Sequence, residues 1–265
     1  MADNDHLLVE RDGHVVILTM NRPEARNAFS LEMLARMAQA WDDIDDDPEI
    51  RCAVLTGANG TFSAGADLKM MAGAAQDERW QSKFKADPDL HWKALLRHRY
   101  LATPLVAAVE GVAYGGGTEI LQATDIRVAA ETARFGITEV RWALFPVGGS
   151  SVRLPRQIPY AKAMDMLLTG RTMKADEAER IGLVSRIAPE GKALEEAVKV
   201  AHRIAANGPL AVQALKRSVY EGNGLPEVDA LKIELEIGYP ILSTEDAKEG
   251  PRAFLDKRAP NFVGR

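Results

Sequence analysis

A single cysteine, Cys52, in a chain of 265 residues excludes an intrachain disulfide and a cysteine-built metal centre, and fits a reducing compartment such as the cytosol. No apolar run approaches the roughly 18 residues that a membrane-spanning helix needs. The opening stretch MADNDHLLVERDG is acidic and polar, without the pattern of a secretory signal, so a cytoplasmic protein with no membrane partner is expected. Basic tracts are also missing. With 33 Lys and Arg against 38 Asp and Glu, the net charge is −5, which argues against nucleic acid as a partner. An acidic chain can still hold an anion where a few cations and helix N-termini converge, so a small-molecule ligand is the expectation.

Several signature motifs are absent as well. GTFSAGAD (60–67) has the glycine spacing of a phosphate loop, but Ala66 and Asp67 stand in the Lys and Ser/Thr places, and an aspartate there repels phosphate. The glycines at 111, 115, 116 and 117 do not form a dinucleotide fingerprint. GGSSV (148–152) lacks the last glycine of a nucleophile elbow, and its hydroxyls read as a helix cap. The five histidines, at 6, 14, 91, 98 and 202, show no metal-ligand spacing and read as surface or loop residues, so no metal is expected.

What is present is ordinary globular composition, 46% hydrophobic, enough for a large core. HVVILTM (14–20), CAVLTG (52–57), PLVAAVEG (104–111) and IRVAA (126–130) read as buried strands. Ser30 is a good N-cap for a helix whose Leu31, Leu34, Ala38, Trp41 and Ile44 share one face. The stretch 74–100 is polar with scattered aromatics and is expected to form a loop or helices over a cleft. Beyond residue 158 the pattern is helical, with Gly208 and Pro209 as a stop and restart. These patterns give an α/β fold with a helical C-terminal section, and on periodicity alone a doubly wound sheet.

Two glycine-containing loops each follow a strand: GTFSAGADL and GVAYGGGTEIL. Small residues let main-chain N–H groups approach a ligand atom, and N–H groups at a helix start lack intrahelical partners. Two such loops facing each other would make a two-donor oxyanion hole. Each feature alone has a plain structural explanation. The triple glycine can be a strand-to-helix turn, Glu119 can favour a helix N-terminus, and Glu139 can pair with Arg141 or Arg134.

Taken together, VILTMNRPEARNAFS, FSAGADLK, GVAYGGGTEILQATDIRVA, FGITEV with FPVGG, and TEDAKEGPRAFLDKR lie in the order and spacing of a known family. Over essentially its whole length the chain resembles the crotonase (enoyl-CoA hydratase/isomerase) superfamily. The resemblance implies a spiral of ββα turns over residues 1–200 holding a CoA-ester site, and a helical section over 201–265 that packs trimers, commonly paired into hexamers. It implies that Ala66 and Gly116 supply the oxyanion-hole N–H groups and that Glu119 and Glu139 are the catalytic pair. Ala25, Ala64, Asp67 and Leu68 fall where relatives line the adenine and pantetheine path, and Arg22 and Lys69 where phosphates could be met. Phe254 and Lys257 match positions that reach a neighbouring subunit's CoA.

The implied reaction is addition of water to a 2-enoyl-CoA, giving a 3-hydroxyacyl-CoA, with no cofactor beyond the CoA of the substrate itself. Isomerases of the superfamily often retain one carboxylate, so the paired glutamates favour hydration. Double-bond isomerisation is the alternative, and a non-catalytic or RNA-binding homologue is a more distant one. Thr138 stands where many members have proline, and Trp142 and Phe145 replace smaller residues, which leaves the shape of the acyl pocket open.

Overall fold

The computed structural model describes residues 5–73 and 77–265. Strands β1 (Leu7–Asp12) and β2 (Val15–Met20) form an antiparallel hairpin around Gly13, whose φ of 60° suits the tight turn. A 3-10 turn (Pro23–Ala25) leads to helix α1 (Leu31–Asp46). Ser30 caps α1 as expected, accepting from the Met33 amide at 3.1 Å. Leu34, Ala38, Trp41 and Ile44 are buried, while Leu31 is only half-buried. The Trp41 indole N–H donates to the Ala94 carbonyl at 2.9 Å and so ties α1 to a later helix.

Strand β3 (Cys52–Gly57) is followed by α2 (Leu68–Met71), α3 (Glu78–Ala86) and α4 (Leu90–Ala94). The expected cover over 74–100 is therefore helical where it is described; residues 74–76 lie outside the described part. Next come β4 (Leu105–Val109), β5 (Val112–Tyr114), α5 (Gly116–Leu121), β6 (Ile126–Ala130) and β7 (Arg134–Gly136). A second 3-10 turn (Glu139–Trp142) precedes α6 (Ser150–Gln157) and α7 (Tyr160–Thr169). Then follow β8 (Thr172–Lys174), α8 (Ala175–Arg180), β9 (Arg186–Ala188) and α9 (Ala193–Ala205). The chain ends in α10 (Pro209–Gly222), α11 (Glu227–Gly238), a 3-10 turn (Tyr239–Ser243) and α12 (Glu245–Leu255). Among the described residues no helix is long and apolar enough to cross a membrane.

The large sheet has the order β1-β2-β3-β4-β6-β9, parallel from β2 onward. Strands add on one side only, so the strand order never reverses as it would in a doubly wound sheet. That expectation from periodicity is corrected, and the spiral is what forms. The turns that begin with β4 and β6 each lay one strand in the large sheet and one in a smaller sheet, β5-β7-β8. Both faces of the large sheet are covered, which explains its unbroken apolar strands. Ala53, Leu55, Leu105 and Ala107 face the inner core, whereas Cys52, Val54, Val106 and Ala108 face Ala197, Val200 and Ala201 of α9. Cys52 is thus a buried packing residue. Position 200, where the sequence reading divides the chain, falls inside α9.

Two isolated parallel bridges continue the smaller sheet's layer: Phe29 with Ala66, and Ser63 with Ala113. They bring three successive loops side by side, and Asn27 locks them. Asn27 is fully buried. Its Oδ1 accepts from the Arg22 amide at 2.9 Å, and its Nδ2 donates to the Ala58 and Thr61 carbonyls at 3.0 and 2.6 Å. The Ser63 hydroxyl donates to the Asn27 carbonyl at 2.7 Å. Removing the amide side chain would strand two buried carbonyls and one N–H. Asn27→Ala is therefore expected to destabilise the fold by about 2–4 kcal/mol, read as a lowered urea midpoint; a change under about 0.5 kcal/mol would refute the locking role.

Candidate active site

Main-chain contact between the AGAD and GGG loops creates the site. Gly65 has φ +84°, and a Cβ built there would lie 2.4 Å from the Tyr114 carbonyl oxygen and 2.7 Å from the Gly116 nitrogen, so only glycine permits the approach. A Cβ on Gly116 would lie 3.6 Å from the Ala66 nitrogen and 3.0 Å from the Phe29 ring. Ala66 and Gly116 are therefore close neighbours, and both line one cavity of about 360 Å³. Neither N–H has an intramolecular acceptor among the described residues.

Glu119 and Glu139 line the same cavity from different turns of the spiral. Glu119, on α5, is 5% exposed, and its Oε1 accepts from the Ser150 amide at 3.3 Å. Burial raises its pKa, against the opposing pull of the Ser150 and Gly148 amides and of Arg153. Glu139 opens the 3-10 turn, and its pKa is pushed up to about 7, first by burial and then by the charge of Glu119. Its Oε2 is buried without a hydrogen-bond partner, and no ion pair with Arg134 or Arg141 forms among the described residues. A routine surface pairing for Glu139 is thereby excluded.

Each carboxylate has a glycine at its back. A Cβ at Gly115, whose φ is +52°, would lie 2.9 Å from Glu139 Oε1, and one at Gly148 would lie 2.5 Å from Glu119 Oε2. The GGSSV segment acts here through its main chain. The Ser150 and Ser151 hydroxyls do not cap α6; Gly149 holds the N-cap position, and Ser150 Oγ accepts from Gln122 at 2.8 Å. The contribution of Gly148 and Ser150 to the site was not legible as a motif.

Of the expected ligand contacts, Asp67 lines the cavity, but its carboxylate is engaged within the chain. Oδ1 caps α2 through the Lys69 amide at 2.9 Å, and Oδ2 accepts from Arg22 Nη1 at 2.6 Å. Burial alone would raise the Asp67 pKa, but Arg22 and the amides of Met70 and Lys69 outweigh it and lower it. Arg22, expected at a phosphate, forms a brace between the first loop and the AGAD loop. Ala25 and Ala64 are half-buried, Leu68 and Lys69 are exposed at α2, and none of the four lines the cavity. Phe254 and Lys257 also lie outside it, with Phe254 82% exposed.

The remaining walls come from Leu31, Leu34, His91, Trp92, Leu95 and Phe145, among others. Leu31 is half-buried because it borders this space. His91 departs from the sequence reading, which places all five histidines on the surface or in loops. Trp142 is exposed and does not line the cavity, whereas Phe145 does.

The arrangement places two amides without an intramolecular acceptor among the described residues and two carboxyl groups of raised pKa at the wall of one mostly apolar chamber. That combination stabilises an oxyanion and moves protons next to it. The sequence pattern of the enoyl-CoA hydratase/isomerase family matches residues 10–265. The chain is 55% identical over 258 residues to enoyl-CoA hydratase EchA19 of Mycobacterium tuberculosis, covering 97% of this chain and 96% of that protein. Its structure is similar to that of an enoyl-CoA hydratase from Mycobacterium tuberculosis H37Rv (TM-score 0.88, 39% identity, 99% and 100% of the two chains). It also resembles an enoyl-CoA hydratase from Bacillus anthracis (TM-score 0.90, 34% identity, 98% and 100% covered). With the family pattern matching residues 10–265 and relatives this similar over nearly the whole chain, the chain belongs to the enoyl-CoA hydratase/isomerase family.

Proposed function

We propose that the protein is an enoyl-CoA hydratase in which the Ala66 and Gly116 amides hold the thioester oxygen while Glu119 and Glu139 handle water and proton. The observation that carries this reading is the meeting of both amides and both carboxyl groups in one cavity. The thioester carbonyl withdraws electrons, so water attacks the β-carbon and negative charge collects on the thioester oxygen. Donors fixed in advance at that oxygen favour the enolate-like transition state over the ground state. Glu119, held by the Ser150 amide, takes the proton of the attacking water. Glu139, whose pKa of about 7 keeps it substantially protonated at neutral pH, delivers a proton to the α-carbon. The roles reverse for dehydration. Two carboxyl groups in one cavity fit hydration better than double-bond isomerisation, which needs one. The chain's own groups complete the reaction, so we assign no cofactor beyond the substrate's CoA.

We further infer a homo-oligomer, a trimer or a pair of trimers, in the cytoplasm. Helix α11 buries no residue within its own chain, and Leu231, Leu235, Tyr239 and Leu242 stand exposed along the C-terminal section. Such a surface is what subunit contacts cover. Phe254, exposed and outside its own chain's cavity, fits the expectation that it and Lys257 serve a neighbouring subunit's CoA. The free, buried Cys52 suits a reducing compartment.

Three outcomes test these readings. Glu119→Gln and Glu139→Gln should each lower kcat for hydration of a 2-enoyl-CoA by roughly 10²–10⁴-fold, followed by loss of the conjugated thioester absorbance, with CoA-ester binding retained; near-normal turnover in either variant refutes the pair. Glu139 also makes folding pH-dependent. Its carboxyl has an ordinary value of 4.5 and a folded value of about 7, so the folded form holds the extra proton between them and stability falls as pH rises through that window. Glu139→Gln should therefore match the parent near pH 5 and exceed it at pH 8 by up to about 3 kcal/mol, read from urea midpoints. Finally, Leu231→Glu with Leu235→Glu should reduce the mass seen by light scattering to that of a monomer; a parent already monomeric at micromolar concentration overturns the oligomer.

A further inference from the structure

Four of the five histidines have a ring nitrogen hydrogen-bonded within the chain. His6 Nδ1 meets Ser30 Oγ at 2.6 Å, His14 Nδ1 the Glu49 carbonyl at 2.8 Å, His98 Nδ1 Asp89 at 2.5 Å, and His202 Nε2 Asp12 at 2.7 Å. His91 is different. Among the described residues neither of its ring nitrogens has a hydrogen-bond or ion-pair partner, yet it borders the active-site cavity.

Its surroundings are apolar. The same wall carries Leu31, Leu34, Trp92 and Leu95, with Phe145 and Val147 also lining the cavity. Apart from Glu119 and Glu139, the other ionisable lining residue is Asp67, whose two oxygens already serve Arg22 and the start of α2. The imidazole is also held in orientation. Its ring packs against Trp92, with centroids 4.7 Å apart and planes at 56°. The Arg97 guanidinium also lies over that indole at 5.0 Å, and the Arg97 amide donates to the Trp92 carbonyl at 2.8 Å. Trp41 fixes the end of α4 from beneath through the Ala94 carbonyl. A braced ring of this kind is preorganised for recognition.

Burial lowers the His91 pKa, so the ring is neutral at physiological pH and offers one N–H donor and one bare nitrogen acceptor. A purely hydrocarbon acyl chain laid against it would cover the ring without offering either nitrogen a partner. An oxygen atom on the acyl chain would pair with one of them. This rests on the hydratase reading of the site and narrows its substrate.

We propose that His91 is a specificity determinant that reads an uncharged oxygen function, a hydroxyl or a ketone, on the substrate's acyl chain beyond the reacting double bond. The test compares 2-octenoyl-CoA with its keto and hydroxy derivatives, each carrying the oxygen at one carbon past the double bond, in the parent and in His91→Phe and His91→Gln. The parent should favour at least one oxygenated ester in kcat/KM by about fivefold to tenfold, the size of one hydrogen bond. His91→Phe should bring that ratio to one, and His91→Gln, which keeps a donor and an acceptor, should restore part of it. Turnover of all esters by the parent without discrimination, or a preference that survives in His91→Phe, overturns the assignment to His91. A parent preference for a carboxylate-bearing ester also overturns it. Failure of the parent to hydrate even plain 2-octenoyl-CoA and every derivative overturns the hydratase reading, and this inference with it.

Discussion

Everything at the site depends on how closely two stretches of main chain can approach. The AGAD loop and the GGG loop touch through Gly65 and Gly116, where a single added carbon would fall 2.7 Å from a backbone nitrogen. The contact brings Ala66 and Gly116 together at the wall of one cavity, where the proposed mechanism seats the substrate oxygen. The contact is not held by glycine alone. Asn27 ties the preceding loop to the Ala58 and Thr61 carbonyls, and Arg22 ties it to Asp67. These polar groups hold the loops in place, and in the proposed mechanism they set the spacing on which stabilisation of the enolate rests.

The carboxyl groups obey a second constraint, imposed by the first. A chamber dry enough to strengthen two amide hydrogen bonds also penalises ionised glutamates. Glu119 meets this partly with the Ser150 amide, and Glu139 meets it by retaining its proton to about pH 7. The asymmetry in their partners separates the two roles. One carboxyl group has a main-chain donor that steadies its charge; the other has a buried oxygen with no partner among the described residues.

Sequence patterns reveal those parts of this architecture where a local rule governs and hide those where contact between turns governs. The strands around Val16, Val54, Val106 and Val128 were legible because burial on both faces leaves a continuous apolar run. Ser30 was legible as a cap because capping is a local interaction. Strands β8 and β9, three residues each, are too short to show a period-2 signal within a helical region. The spiral itself was not visible in periodicity, since doubly wound and spiral folds use the same strand and helix alphabet; it came from the family resemblance. The same division holds in the site. Ala66, Gly116, Glu119 and Glu139 carried a motif, whereas Gly148 and Ser150 act through backbone atoms that no residue type announces. The pairing of Arg22 with Asp67 was not legible, because nothing near Arg22 in sequence reveals a partner 45 positions on.

The placement of Ala66, of Gly116 with Glu119, and of Glu139 on three consecutive turns has an evolutionary corollary. In the proposed mechanism the electrophile-activating half of the machinery is written in backbone, at a loop contact that a Cβ on Gly65 would block. The proton-handling half is written in side chains on separate coils. Exchange of one residue on the third coil can redirect the fate of a common enolate while the first two coils are inherited intact, so a single scaffold can diversify its chemistry without rebuilding the part that makes chemistry possible.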